Sequence, residues 1–222
     1  LDAHVADLGY HTFAAGHWHK ALDYGRRAGE AALRLHAAHA AVEHFGRAIA
    51  AAEELSRAHS PSLYGRAGPD GGIPLDLYGR RGQAYEILGD FERARADLET
   101  ALSLARSAGE RRAEWQALID LGFLWAERDY ARTGDFYRRA SDLAQALADP
   151  LLHARSLNRL GNWLTNLGRA EEAQRAHREA LALFGEHGNN LGEAETLDLL
   201  GMTCGLALGD AIASAAHYDR AI

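Results

Sequence analysis

Hydrophobic and small residues recur along this chain at the three- and four-residue spacings of amphipathic helices. In the clearest stretch, Tyr78, Gly82 and Tyr85 share one helical face. A turn follows at Gly89-Asp90. The small and apolar positions of the next helix are Phe91, Ala94, Leu98 and Ala101. The pattern therefore predicts two antiparallel helices joined by a short turn.

This helix-turn-helix pattern returns at a nearly constant interval. A glycine, preceded by leucine in three of the four copies, marks the first helix of each unit at Gly82, Gly122, Gly161 and Gly201. Subtracting these residue numbers gives intervals of 40, 39 and 40. A period of this length is typical of helical repeat arrays. We predict an all-α, right-handed superhelical solenoid of antiparallel helix pairs.

Individual units depart from the pattern in small ways. The turn of the second unit is one residue short, and the third unit carries His177 where its second helix should have an aromatic residue. The fourth unit has one residue inserted in its first helix, and it ends before its second helix is complete.

We predict a single array over residues 1–222. It consists of less regular helices at 1–58, a Pro/Gly-rich loop at 59–74 and four repeats at 75–222, the last one truncated. The loop holds three of the four prolines and cannot be helical. Because the chain starts at Leu1 and stops at Ile222 within a predicted helix, we expect it to be a piece of a longer protein.

These units resemble the tetratricopeptide repeat, in which small residues let two helices approach closely while aromatic side chains fill the space beside them. The repeat length, the loop and the phrases at 156–163 (SLNRLGNW) and 195–202 (ETLDLLGM) also resemble the C-terminal arrays of bacterial STAND-class signal-transduction ATPases. That resemblance implies a sensor arm joined to a nucleotide-binding switch domain in the parent protein. It also implies that an inducer or protein partner binds the array and relieves autoinhibition of the switch.

Charge and composition narrow the range of partners. The net charge of −7 argues against direct nucleic-acid binding, because phosphate backbones require a basic surface. No apolar stretch reaches the length of a membrane span. The single cysteine, Cys204, cannot form an internal disulfide, which favours the cytoplasm, and we expect it to be a small buried apolar residue.

The sequence contains no motif that is typical of a catalytic or metal-binding site. Lys20 is the only lysine and stands in no phosphate-binding loop, so we predict no nucleotide hydrolysis by this segment. His36 and His39 could share a helical face, but no third ligand stands at a diagnostic spacing. We predict a protein without cofactor, metal or enzymatic activity.

The main candidate site is a polar stripe on the helix that starts near Leu152. Its members follow steps of 4, 3 and 4 residues and are Arg155, Arg159, Asn162 and Asn166, with Asn158 and Thr165 beside them. Because Leu157, Leu160, Gly161 and Leu164 occupy the packing face, we expect the stripe to point away from the core. Guanidinium groups and amides can together bind a carboxylate or phosphate.

Neighbouring helices are expected to complete a concave groove around this stripe. The residues predicted to line it are Arg80, Gln83, Asp120, Phe123, Asp198 and Met202. Such a groove suits a peptide or a small polar ligand. Two alternatives stay open: the stripe is a solvated helix face, or Asp120 and Asp198 pair with its arginines. A passive protein-protein scaffold is the competing function.

Overall fold

The computed structural model describes residues 4–58 and 75–221, and within these ranges every regular element is helical. The predicted all-α class is confirmed, whereas the predicted loop at 59–74 lies outside the described residues. The described ranges contain eleven α-helices: α1 (Val5–Ala14), α2 (Trp18–Arg34), α3 (Ala38–Ala58), α4 (Leu75–Ile87), α5 (Phe91–Ala108), α6 (Arg111–Trp125), α7 (Tyr130–Ala146), α8 (Pro150–Asn166), α9 (Ala170–Glu186), α10 (Asn190–Met202) and α11 (Ala211–Ala221). A π-helical turn, Thr203–Ala207, follows α10.

Short capped turns reverse the chain between helices. Gly89 adopts a left-handed backbone with φ of +73°, which ends α4 without steric cost. The side chain of Asp90 then accepts a hydrogen bond from the Arg93 amide at 3.2 Å and caps α5. The predicted turn at Gly89-Asp90 is confirmed. Because such turns are short, the helices that they join within one unit, such as α4 and α5 or α8 and α9, pack as antiparallel neighbours.

The chain divides into two compact units, Leu1–Asp120 and Leu121–Ile222. In the N-terminal unit, α3 contributes a fully buried cluster in which Ala41, Phe45 and Ala48 contact residues of α2 and α4. In the C-terminal unit, α8 and α9 share a core of Ala154, Leu157, Ala180 and Phe184.

Each repeat glycine faces a bulky side chain of the following helix. The four pairs are Gly82 with Leu98, Gly122 with Tyr137, Gly161 with His177 and Gly201 with Tyr218. A Cβ on Gly122 would lie only 2.3 Å from the Tyr137 ring, so no larger residue fits without movement. The predicted packing role of these glycines is confirmed, and His177 occupies the aromatic position of its repeat.

The π-helical turn accommodates an extra residue in the fourth repeat. Gly201 and Tyr218 are 17 positions apart, whereas Gly161 and His177 are 16 apart. A π-helical turn holds one residue more than an α-helical turn, so the Gly201–Tyr218 contact is kept despite the insertion. The predicted insertion is therefore confirmed.

Candidate functional site

The polar stripe lies on α8, which begins two residues before its predicted start. Asp149 caps this helix by accepting from the Leu152 amide at 3.1 Å, and Pro150 takes the first helical position, where no amide donor is needed. The α-helical backbone then carries the stripe residues along one side of the unit.

Four stripe residues have no partner within the part of the chain that the structure describes. Arg155, Arg159 and Asn166 are exposed and Asn162 is half-buried. Their side chains make no hydrogen bond or ion pair with any other described residue. Their donors and acceptors are therefore available to a ligand.

Asn158 is different, and its predicted place beside the open stripe is wrong. Its side chain is only 8% exposed, because α9 and α10 both pack on that side of α8. Its Nδ2 donates to Thr196 Oγ1 at 2.8 Å, and its Oδ1 lies 3.1 Å from His177 Nδ1. The Asn158 amide thus joins three helices and is not free to bind a ligand.

His177 is the titratable group in the hydrogen-bond network of Asn158 and Thr196. Since Asn158 donates to Thr196, its Oδ1 must accept, and the proton of neutral His177 sits on Nδ1. The other ring nitrogen, Nε2, is buried without a hydrogen-bond partner. Burial lowers the pKa of His177 to about 4. The imidazole is therefore neutral at physiological pH.

A cavity of about 80 Å³ in the C-terminal unit borders three of the stripe residues. We call it the aromatic-amide cavity; its lining includes Phe123, Tyr130, Arg159, Asn162, Trp163 and Asn166. The Trp163 indole donates to the Tyr130 carbonyl at 2.8 Å and packs closely on Gly134, which fixes the ring. Phe123 is 54% exposed at the same cavity. The fixed Trp163 ring and the exposed Phe123 ring thus line the same cavity as the unpaired polar groups.

A second cavity, of about 250 Å³, lies in the N-terminal unit. Small residues form what we call the alanine-floored cavity: Gly79, Ala101, Ala113 and Ala117. Its polar residues are Asp76, Arg80, Gln83, Gln116 and Asp120. Three of the predicted site residues, Arg80, Gln83 and Asp120, therefore share this cavity.

The remaining predicted site residues line neither cavity. Asp198 is exposed and Met202 is half-buried on α10. Asp198 forms no ion pair with Arg155 or Arg159 among the described residues, so the alternative in which it neutralises the stripe is wrong. Asp120 accepts from Gln116 Nε2 at 2.9 Å.

Sequence reasoning missed several residues of both cavities. Trp163 is not among the predicted site residues, yet it forms part of the wall of the aromatic-amide cavity. Gly79 stands three residues before the repeat glycine Gly82 and matches no repeat position. That surplus glycine was the available signal for the alanine-floored cavity.

The remaining features of interest are the single cysteine, metal-ligating side chains and membrane-spanning helices. Cys204 is a free, buried thiol, as predicted, and accepts a hydrogen bond from Gln174 Nε2 at 3.2 Å. Residues 4–58 and 75–221 contain no group of three His, Cys, Asp or Glu side chains that could hold a metal ion. In the same ranges no helix combines the length and apolarity needed to cross a membrane.

Two models of the tetratricopeptide repeat family match this chain, at residues 75–107 and 152–222. A comparison with curated proteins finds no match. The matched segments cover parts of both units and include the polar stripe.

Solved structures share the fold over most of the chain. BtubC from P. vanneervenii is 22% identical, with 92% of this chain and 89% of that chain covered and a TM-score of 0.61. The quorum sensor NprR in complex with its cognate peptide NprX is 17% identical, with 92% and 55% covered and a TM-score of 0.66. A STAND protein with a tetratricopeptide repeat sensor from Pyrococcus horikoshii is 15% identical, with 91% and 30% covered and a TM-score of 0.70. At these identities the likeness establishes the fold.

Proposed function

We propose that this chain, whose residues 75–107 and 152–222 match tetratricopeptide repeat models, binds a peptide or a small polar ligand at the polar stripe of α8. The carrying observation is that Arg159, Asn162 and Asn166 have no partner in the described residues and border the aromatic-amide cavity. A tetratricopeptide fold generally serves recognition, and we propose a non-catalytic role.

The chemistry of the aromatic-amide cavity supports a peptide with an acidic group. The planar guanidinium of Arg159 can hold a carboxylate through two parallel hydrogen bonds. The amides of Asn162 and Asn166 each donate and accept, which matches the alternating groups of a peptide backbone. Exposed Phe123 and fixed Trp163 offer apolar area with little further loss of side-chain entropy.

We further propose that the array is the sensor arm of a larger bacterial signalling ATPase in the cytoplasm. The similar fold of a STAND protein with a tetratricopeptide repeat sensor supports this role, and the NprR complex supports a peptide as the ligand. In the proposed parent protein, ligand binding to the array acts on a covalently linked nucleotide-binding switch.

The test is a thermal-shift screen of the chain against acidic peptides, small metabolites and nucleotides. A ligand at 100 times its dissociation constant adds about 2.7 kcal/mol to the free energy of unfolding. We expect Arg159→Ala and Asn162→Ala to abolish the shift while changing the stability of the free protein by less than about 0.5 kcal/mol. Arg175→Ala is the matched control, since Arg175 is exposed on the neighbouring helix α9 and lines neither cavity. A shift that survives Arg159→Ala contradicts the proposed site.

A passive scaffold is the alternative function, and exposed apolar side chains near the end of the C-terminal unit favour it. Leu206 is 79% exposed and Ile212 is 86% exposed. Large apolar side chains exposed in this way can mark a protein-protein contact surface. If no compound in the screen shifts the melting temperature, the array recognises a folded protein surface instead.

A further inference from the structure

Gly79 lies inside α4 without a packing role. A Cβ at this position would meet no atom within 4 Å, whereas a Cβ on Gly82 of the same helix would lie 3.0 Å from Leu98. Its backbone is not in the left-handed region that favours glycine. Glycine inside a helix is destabilising relative to alanine. The missing side chain therefore keeps open the space that Gly79 borders.

That space is the alanine-floored cavity. Its lining includes four small residues, Gly79, Ala101, Ala113 and Ala117. Its volume of about 250 Å³ far exceeds the ~30 Å³ that one water molecule occupies. The cavity therefore has room for a whole aliphatic side chain on an apolar floor.

Two glutamines at the cavity present opposite hydrogen-bonding groups. Gln83 Oε1 accepts from Arg80 Nη1 at 3.4 Å, which leaves the Gln83 NH₂ donors available. Gln116 Nε2 donates to Asp120 Oδ1 at 2.9 Å, which leaves the Gln116 carbonyl available as an acceptor. One donor and one acceptor complement the carbonyl and the amide of a peptide backbone.

Each charged group of the cavity has at least one contact with another side chain. Asp76 lies 2.7 Å from the Arg26 guanidinium, Asp120 accepts from Gln116, and Arg80 contacts Gln83. A charged ligand side chain would have to compete with these contacts, whereas an uncharged one leaves them intact.

We propose that the alanine-floored cavity is a specificity pocket that takes one aliphatic side chain of an extended peptide. Gln83 and Gln116 hold the backbone of that residue, and Gly79 and the alanines contact its side chain. The proposal rests on the proposed function for the peptide nature of the ligand, but it involves a different unit and different residues from the α8 stripe.

The test uses NMR titration of the ¹⁵N-labelled full chain with N-acetyl-leucine N-methylamide. This probe carries one aliphatic side chain, with a carbonyl and an amide on either side. We expect a saturable shift of the Gly79 amide resonance. Gly79→Leu fills the cavity and should weaken binding at least tenfold, while Gln83→Ala keeps the cavity open and should weaken it several-fold. Arg95→Ala, at a residue of α5 that does not line the cavity, is the matched control and should leave the affinity unchanged.

The outcomes separate this proposal from the function of the α8 stripe. The absence of a Gly79 shift at saturating probe, or unchanged binding to Gly79→Leu, would overturn the specificity pocket and leave the stripe untouched. Equal binding of the lysine or glutamate analogue would overturn the aliphatic preference. If Gly79→Leu does not fold, Gln83→Ala decides the question. Loss of peptide binding in Arg159→Ala reports only on the stripe.

Discussion

The imidazole of His177 lies directly against the backbone of Gly161, where a Cβ would stand 2.5 Å from its Cε1. The fully buried ring has no room to withdraw. We expect Gly161→Ala to destabilise the protein by about 1–3 kcal/mol through overpacking, although alanine favours a helix more than glycine does. Urea denaturation would measure this change.

Gly185→Ala is the matched control for that substitution. Gly185 is also helical in the C-terminal unit, but the nearest side-chain atom would lie 3.8 Å from its Cβ, an ordinary contact. This variant should gain stability, by up to about 1 kcal/mol. Equal effects of the two substitutions would show that the His177 contact does not constrain position 161.

The buried His177 should make stability depend on pH. Its pKa is about 4 in the folded protein against 6.5 as a free group, so the unfolded chain binds the proton more readily. The contribution of neutral, buried His177 to the free energy of unfolding is therefore complete above pH 6.5 and is lost as pH falls from 6.5 towards 4. By pH 5 the loss is about 2 kcal/mol. Urea denaturation at pH 7.5 and pH 5 measures it.

His177→Phe is the control for this pH dependence, because phenylalanine fills the aromatic position without titrating. The variant leaves Asn158 Oδ1 without a donor, which costs about 1–3 kcal/mol at every pH. Its stability should fall less between pH 7.5 and pH 5 than that of the parent protein. An identical fall in both proteins would assign the effect to other groups.

Truncation of two asparagines on α8 should change stability by very different amounts. Asn158→Ala removes the partner of His177 Nδ1 and a donor to Thr196, both buried, and should cost about 1–3 kcal/mol. Asn162→Ala removes no contact and should change stability by less than about 0.5 kcal/mol. Thermal denaturation of both variants makes the comparison. A cost for Asn162→Ala equal to that for Asn158→Ala would give the stripe a structural role.

Arg81 holds the carboxylate of Asp97 through two hydrogen bonds, at 2.7 and 2.8 Å. The Asp97 side chain is only 9% exposed, so Arg81→Leu leaves a buried charge without a partner. We expect a loss of about 3–5 kcal/mol, which Arg81→Leu combined with Asp97→Ala should largely recover. Urea denaturation of the two single variants and the double variant gives the free energies of unfolding for a double-mutant cycle.

Arg95→Ala is the matched control for the Arg81 series. Arg95 pairs with Glu92 and Glu99 on a solvent-exposed face of α5, where ion pairs contribute little. Its truncation should change the free energy of unfolding far less than Arg81→Leu does. If the Arg81/Asp97 double variant is as unstable as Arg81→Leu alone, the cost comes from lost packing and not from an unpaired charge.

The fold could be predicted because the repeat glycines determine how closely paired helices approach. Their spacing, with His177 in an aromatic position and one extra residue before Tyr218, was enough to identify each pair and the irregular fourth unit. These are local features, since each glycine contacts a residue 15 to 17 positions later. Sequence periodicity records such short-range contacts directly.

The site was harder to predict from the sequence, because it depends on contacts between residues that are far apart in the sequence. Asn158 and Asn162 are alike in residue type and lie on the same helix. The partners Thr196 and His177, 38 and 19 positions from Asn158, distinguish the buried amide from the accessible one. The alanine-floored cavity depends on α4, α5 and α6 together, and helical periodicity does not predict how much space small residues leave between helices.

The side chains that face the repeat glycines differ in chemical type: Leu98, Tyr137, His177 and Tyr218. The array therefore contains intrinsic spectroscopic labels at equivalent positions. The methyl resonances of Leu98, the phenol resonances of Tyr137 and Tyr218 and the imidazole resonances of His177 can report the opening of their helix pairs without an added dye. Since repeat proteins can unfold in segments, these signals would reveal whether the array melts cooperatively or repeat by repeat.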